Sequence, residues 1–138
     1  MNSLTFFDTN VLVYADDRSS PAKQEKAIAL FAEHLRRKTA VVSLQVLQEY
    51  FAAATRKLKL APEVAQKKVE LIARARVVRF GPDDVITAIE LHRLTQISFW
   101  DALIVHAARS ANVGVLYSED LQTGAVVAGV RIINPFAT

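Results

Sequence analysis

"TFFDTNVLVYADD", Thr5 to Asp17, changes its period halfway along. Leu4 to Phe7 is a short apolar run that reads as a buried strand, and Asn10 to Ala15 reads as the apolar opening of a helix. Asp8 stands at the joint. A helix N-cap accounts for an aspartate there. So does a site beyond the carboxyl end of a parallel strand, provided other acids reach the same place.

Working outward, short β-rich runs alternate with helical periods, the pattern of an α/β domain with a mainly parallel sheet. Strands are expected at Leu4–Phe7, Ala40–Val42, Arg76–Phe80, Val113–Tyr117 and Val130–Ile133. Ser20 and Pro21 open a helix running to about Arg37, with Ala27, Ile28, Phe31 and Leu35 as its apolar stripe. Ser43 caps the next, with Leu47, Tyr50, Phe51, Ala54 and Leu58 on one face. Pro62 and Pro82 start two more, the latter carrying Val85, Ile89 and Leu91, and Ser98 opens a last one ending near Asn112 and Gly114.

The 138 residues suit one domain, spanning 1–138, with no internal repeat or linker. With 51% hydrophobic and 22% charged residues the composition is globular, which excludes a disordered chain. No apolar run approaches the ~18 residues of a membrane span, and no secretory signal is visible. The absence of cysteine excludes disulfides and thiolate metal sites and fits a cytoplasmic protein. Net charge is +3, and eleven basic residues between Arg36 and Arg79 face only Glu49, Glu63 and Glu70. Such a surface favours polyanions. Arg56, Lys57 and Lys59 are the nucleic-acid-binding candidates within it, although lysines and arginines also simply solvate helix faces.

Three further acids lie where the carboxyl edge of the sheet is expected. Glu49 has Gln45, Val46, Ala52 and Ala53 as its helical neighbours and no local ion-pair partner, so it is either a solvated glutamate or a site group. Asp101 sits in "SFWDALIVHAARSAN", a helix apolar on nearly every side, where Ser98 and Asp101 also fit a capping box. Asp120 follows a strand in "LYSEDLQTG". Together with Asp8 these make a candidate site of four carboxylates, whose mutual repulsion calls for protons or a metal. Oxygen-only ligands select hard cations, Mg²⁺ or Mn²⁺ where phosphate is the substrate. A basic rim around an acidic, metal-binding hole is the layout a nuclease needs. His34, His92 and His106 are scattered and suit structural or surface roles, and Asp16 and Asp17 read as loop acids. Trp100, which beside Asp101 could stack on a base, reads as core from its place in an apolar helix. No phosphate-cradling glycine motif is present.

"FFDTNVLVYA", "VLQEYF", "SFWDALIVHAA" and "LYSEDLQTG", in this order, resemble the PIN domain and, more narrowly, the VapC toxins of prokaryotic toxin–antitoxin pairs. The resemblance extends to the closing "RIINPF". It implies a three-layer α/β/α sandwich and a Mg²⁺-dependent endoribonuclease, with Asp8, Glu49, Asp101 and Asp120 as the acidic quartet. Ser118 and Asn10 would support it, and Glu119 is the neighbouring acid able to take the place of Asp120. A small antitoxin protein and a homodimer are implied as well. Two other readings share the fold: a PIN nuclease of RNA maturation or DNA processing without an antitoxin, and a non-catalytic nucleic-acid-binding module.

Overall fold

Every residue of Thr5–Phe7 and of Ala40–Ser43 is buried, so these two strands have protein against both faces. Strands of that kind lie inside a sheet covered by helices on each side. The computed structural model describes residues 4–137 and bears this out. In chain order the elements are β1 (Thr5–Phe7), α1 (Thr9–Tyr14), α2 (Pro21–Arg37), β2 (Ala40–Ser43), α3 (Leu44–Arg56) and α4 (Pro62–Ile72). Then come β3 (Arg76–Val78), α5 (Pro82–Thr95), α6 (Phe99–Ser110), β4 (Val115–Tyr117), β5 (Val126–Val127) and β6 (Val130–Ile133).

The sheet runs β3-β2-β1-β4-β6-β5, parallel throughout except for β5 against β6. Helices α1 to α4 pack among themselves, and α5 packs on α6, which lies against β2 and β6. The result is the α/β/α sandwich. Phe6, Phe7, Val41, Val42, Leu116 and Ile132 fill its centre together with Val46, Tyr50 and Val105. Tyr50, fully buried, donates its hydroxyl to Asp16 Oδ2 at 2.5 Å, and Lys68 Nζ stands 3.0 Å from Asp16 Oδ1. Asp16 thus has a structural partner on each oxygen.

Register places the site. Phe7 pairs with Tyr117, and the Asp8 N–H donates to the Tyr117 carbonyl at 3.0 Å. The residues after β1 and after β4 are therefore neighbours at the carboxyl edge. Ser43, the last residue of β2 at the same edge, caps α3 by accepting the Val46 N–H at 3.3 Å.

Three expectations need correction. Val126–Val127 is a strand that the patterning did not reveal: Ala128 and Gly129, at φ 51° and 82°, form a two-residue turn that folds it back on β6. On α3 the buried face is Val46, Tyr50 and Ala54, with Leu47 at its margin and Phe51 exposed. On α5 it is Ala88 and Leu91, with Val85 and Ile89 exposed. In both helices the buried face is offset by about one residue from the stripe that the apolar pattern suggests, so Phe51 and Ile89 are turned outward.

Candidate active site

Asp8 is the N-cap of α1, and its Oδ1 accepts the Thr9 N–H at 2.7 Å. Its other oxygen accepts the Ser118 hydroxyl at 2.8 Å. The N-cap reading of this residue holds, and the cap is also buried, at 5% exposure, at the carboxyl edge. Burial pushes its carboxyl up to about 6, the charges of Asp120 and Glu49 push the same way, and the bonds from Ser118 and Thr9 oppose them. Asp101, in the first turn of α6 where its N–H is capped by Ser98 Oγ at 3.0 Å, is also raised. Burial is again the main cause, Ser98 opposes it, and Asp120 and Glu49 again add to it. The charges of Asp120 and Glu49 thus reach both the buried Asp8 and the half-buried Asp101.

Glu49 is turned toward α1. Its Oε1 accepts the Thr9 hydroxyl at 2.7 Å and its Oε2 accepts Gln45 Nε2 at 3.2 Å. Asp120 lies exposed on the loop after β4, its N–H donating to Ser118 Oγ at 3.2 Å. It borders a hollow of about 310 Å³ shared with Thr9, Asn10, Asp17, Lys57 and Glu119. Ser118, fully buried, links β1 to this loop by donating to Asp8 and accepting from Asp120. Asn10 braces the same joint: Nδ2 lies 3.4 Å from Asp8 Oδ2 and 3.5 Å from Ser118 Oγ, and Oδ1 accepts the Glu119 N–H at 3.1 Å.

Glu119 is engaged elsewhere. It takes the Lys23 ammonium at 2.6 Å and the Tyr14 hydroxyl at 2.8 Å, with Lys23 also 4.7 Å from the Tyr14 ring centre. Burial would raise its carboxyl, but the hydrogen bonds from Lys23 and Tyr14 prevail and hold it below the usual range. It is a strut for the loop that carries Asp120. Of the three basic candidates Lys57 lines the hollow, whereas Arg56 and Lys59 are exposed residues outside its lining. Asp17, a loop acid as expected, borders the hollow while accepting the Ser19 N–H and hydroxyl.

The histidines bond elsewhere: His34 Nδ1 to Thr39 Oγ1 at 2.8 Å, His92 Nδ1 to the Ile97 carbonyl at 2.5 Å, and His106 Nε2 to Asp84 Oδ1 at 3.0 Å. Sequence reasoning missed Thr9 and Gln45, which hold Glu49. Only the adjacency of Thr9 to Asp8, and the one-turn spacing of Gln45 from Glu49, hinted at them. Trp100 was expected in the core and is instead 62% exposed.

The donor set fits a hard cation, being oxygen-only and having a buried carboxyl with no basic side chain bonded to it. Among the described residues no three acidic or histidine side chains close into a direct metal cage. Glu49 is held to Thr9 and Gln45, and Asp8 to Ser118 and Thr9, so each acid is satisfied by its own donors. A Mg²⁺-like ion that keeps part of its water shell does not require such a cage.

The model of the PIN domain family matches residues 5–126, and the chain belongs to that family. Its fold is shared by VapC20 of Mycobacterium tuberculosis, described as a sarcin-ricin loop cleaving toxin, with a TM-score of 0.67 at 24% identity over 84% of this chain and 89% of that one. A toxin–antitoxin complex from Klebsiella pneumoniae is similar at TM-score 0.69 and 17% identity, over 97% of this chain and 99% of that one. DNA-bound VapBC from Salmonella typhimurium is similar at 0.69 and 21%, over 94% and 96%. No curated protein is matched by its sequence.

Proposed function

We propose that this PIN domain is a metal-dependent endoribonuclease and the toxin of a type II toxin–antitoxin pair. What carries the reading is the placement of the acids at one edge: Ser118 joins Asp8 to the loop of Asp120, Thr9 joins α1 to Glu49, and the charges of Asp120 and Glu49 raise both Asp8 and Asp101. Likeness to proteins described as a toxin cleaving the sarcin-ricin loop and as toxin–antitoxin complexes favours RNA as substrate and a small antitoxin as partner. A homodimer in the cytoplasm completes the reading.

Asp8 and Asp101 would hold Mg²⁺ or Mn²⁺, with Asp120 and Glu49 completing the set or orienting the attacking water. The bound ion supplies activation of water and neutralisation of charge on the phosphodiester. Ser118 and Asn10 fix the Asp8 carboxylate, and Thr9 and Gln45 fix that of Glu49. Lys57 offers a cation to a neighbouring phosphate at the rim of the hollow. Water attacks phosphorus in line and the 3′ oxygen leaves, giving a 5′-phosphate and a 3′-hydroxyl.

Cleavage of RNA by the purified chain should require Mg²⁺ or Mn²⁺ and stop in EDTA. Asp8→Ala and Asp101→Ala should each lower it by orders of magnitude, while His34→Ala, His92→Ala and His106→Ala keep the chemical step. Cyclic-phosphate ends, or a histidine variant as inactive as Asp8→Ala, would show that the assignment is wrong.

A further inference from the structure

We infer that a groove beside the acids, walled by Trp100, is a pocket for one unpaired nucleobase of the RNA next to the cut, an inference that rests on the nuclease reading. The groove encloses about 220 Å³ between the start of α3, the end of β3 and the start of α6. Trp100, Phe80 and Leu44 give it apolar walls, and Gln45 and Gln48 give it amides. It is smaller than the ~300–1,000 Å³ of a cleft for a drug-sized ligand. A flat group with apolar faces and a hydrogen-bonding rim suits both its size and its lining, and a nucleobase is such a group.

Its place selects the occupant. Trp100 immediately precedes Asp101, and Gln45 Nε2 lies 3.2 Å from Glu49 Oε2 and 3.5 Å from the Trp100 carbonyl oxygen. One amide thus joins the groove to the acids. The Trp100 ring meets Phe99 edge-on, with centroids 5.2 Å apart, and is otherwise largely open to solvent. An exposed indole beside a site for phosphodiesters is a stacking platform for a splayed base. Lys57 lies in the hollow bordered by Asp120, so a strand seated on Trp100 crosses the acids and meets a cation beyond them. Gln48, exposed at the groove, can read the edge of the base, since an amide both donates and accepts.

Trp100 is the only tryptophan in the chain, so its emission reports this groove alone. Titration with a short single-stranded RNA in a Ca²⁺ buffer should quench that emission saturably, and making one particular nucleotide abasic should abolish the quench. With Mg²⁺, Trp100→Ala should raise KM for RNA between about fivefold and a hundredfold. It should also flatten the preference for the base beside the cut while largely keeping kcat. Trp100→Phe should retain part of the affinity, and Gln48→Ala should change which base is preferred. If the parent cuts RNA but shows no quench, and Trp100→Ala cuts the same positions at unchanged KM, the pocket is refuted and the nuclease reading stands. Quench without any cleavage supports the pocket and refutes the nuclease; neither signal refutes both. If Trp100→Ala turns a dimer into a monomer with base preference intact, the ring is a contact between copies and the proposal falls.

Discussion

Asp8 carries two demands that conflict. As N-cap it must offer oxygens to the Thr9 N–H and the Ser118 hydroxyl, and as a site acid it must stay buried near other negative charges. The conflict has a pH signature. The unfolded chain ionises this group near 3.8 and the folded chain near 6. Between those values the folded state holds a proton that the unfolded state has lost, so stability falls as pH rises through the window and the full penalty stands above it. In EDTA, Asp8→Asn should remove that dependence. The unfolding free energy of the parent should fall relative to the variant between pH 4 and 7, by a difference on the order of 1–3 kcal/mol. Calorimetry of the two chains across this range, compared by slope, tolerates the hydrogen bond that Asn rearranges at Ser118. Parallel curves would mean that the buried charge costs nothing. The position itself was legible in the sequence, because a carboxylate interrupts the change from strand to helix period. Thr9 and Gln45 were not legible, since their work exists only once α1 lies beside α3.

The loop that follows β4 places two consecutive acids and divides their work. Ser118 points inward, Asp120 borders the hollow, and Glu119 is tied back to Lys23 and Tyr14. Lys23 is 40% exposed and Glu119 26%, so this ion pair is worth about 0.2–1 kcal/mol. Glu119→Gln should therefore lower thermal stability by no more than that and reduce cleavage only severalfold, by loosening the loop. Asp120→Asn should cost orders of magnitude in cleavage and melt no lower than the parent in EDTA. Equal loss of cleavage in both variants would return Glu119 to the acidic set. Sequence could propose either acid, since neighbouring loop residues carry no periodicity to orient them. The same limit hid β5, where Ala128 occupies a positive-φ turn position usually taken by Asn or Gly. On α3 the eye follows Phe51 because it is large, yet the face turned to the core is that of Val46, Tyr50 and Ala54.

Across the whole molecule, exposed large apolar side chains occur on every helix from α2 to α6, with the most on α5. A hollow of about 550 Å³ lies at the amino edge of the sheet among Arg36, Lys38, Arg74 and Arg76. Helix α2 ends there, and cations at a helix carboxyl end answer the dipole, so Arg36 and Arg37 are accounted for without RNA. The apolar excess is on α5, which buries Ala88 and Leu91 and leaves Ile86, Ile89 and Leu94 exposed. Contiguous exposed apolar surface is a common feature of interaction sites. A two-fold pairing of copies through α5 would cover it with its own counterpart. The parent should then sediment as a dimer and melt higher as protein concentration rises, because association stabilises only the folded chain. Ile86→Glu, at an exposed position that a folded monomer tolerates, should sediment as a monomer whose melting ignores concentration. Trp100 separates this surface from the base pocket: the monomeric variant should still show quenching of its single tryptophan by RNA. A parent that stays monomeric at every concentration would remove the dimer and leave α5 to another partner. A monomer that has lost the quench would instead mean that the pocket is completed by the second copy, since Val85 of α5 already lines that groove.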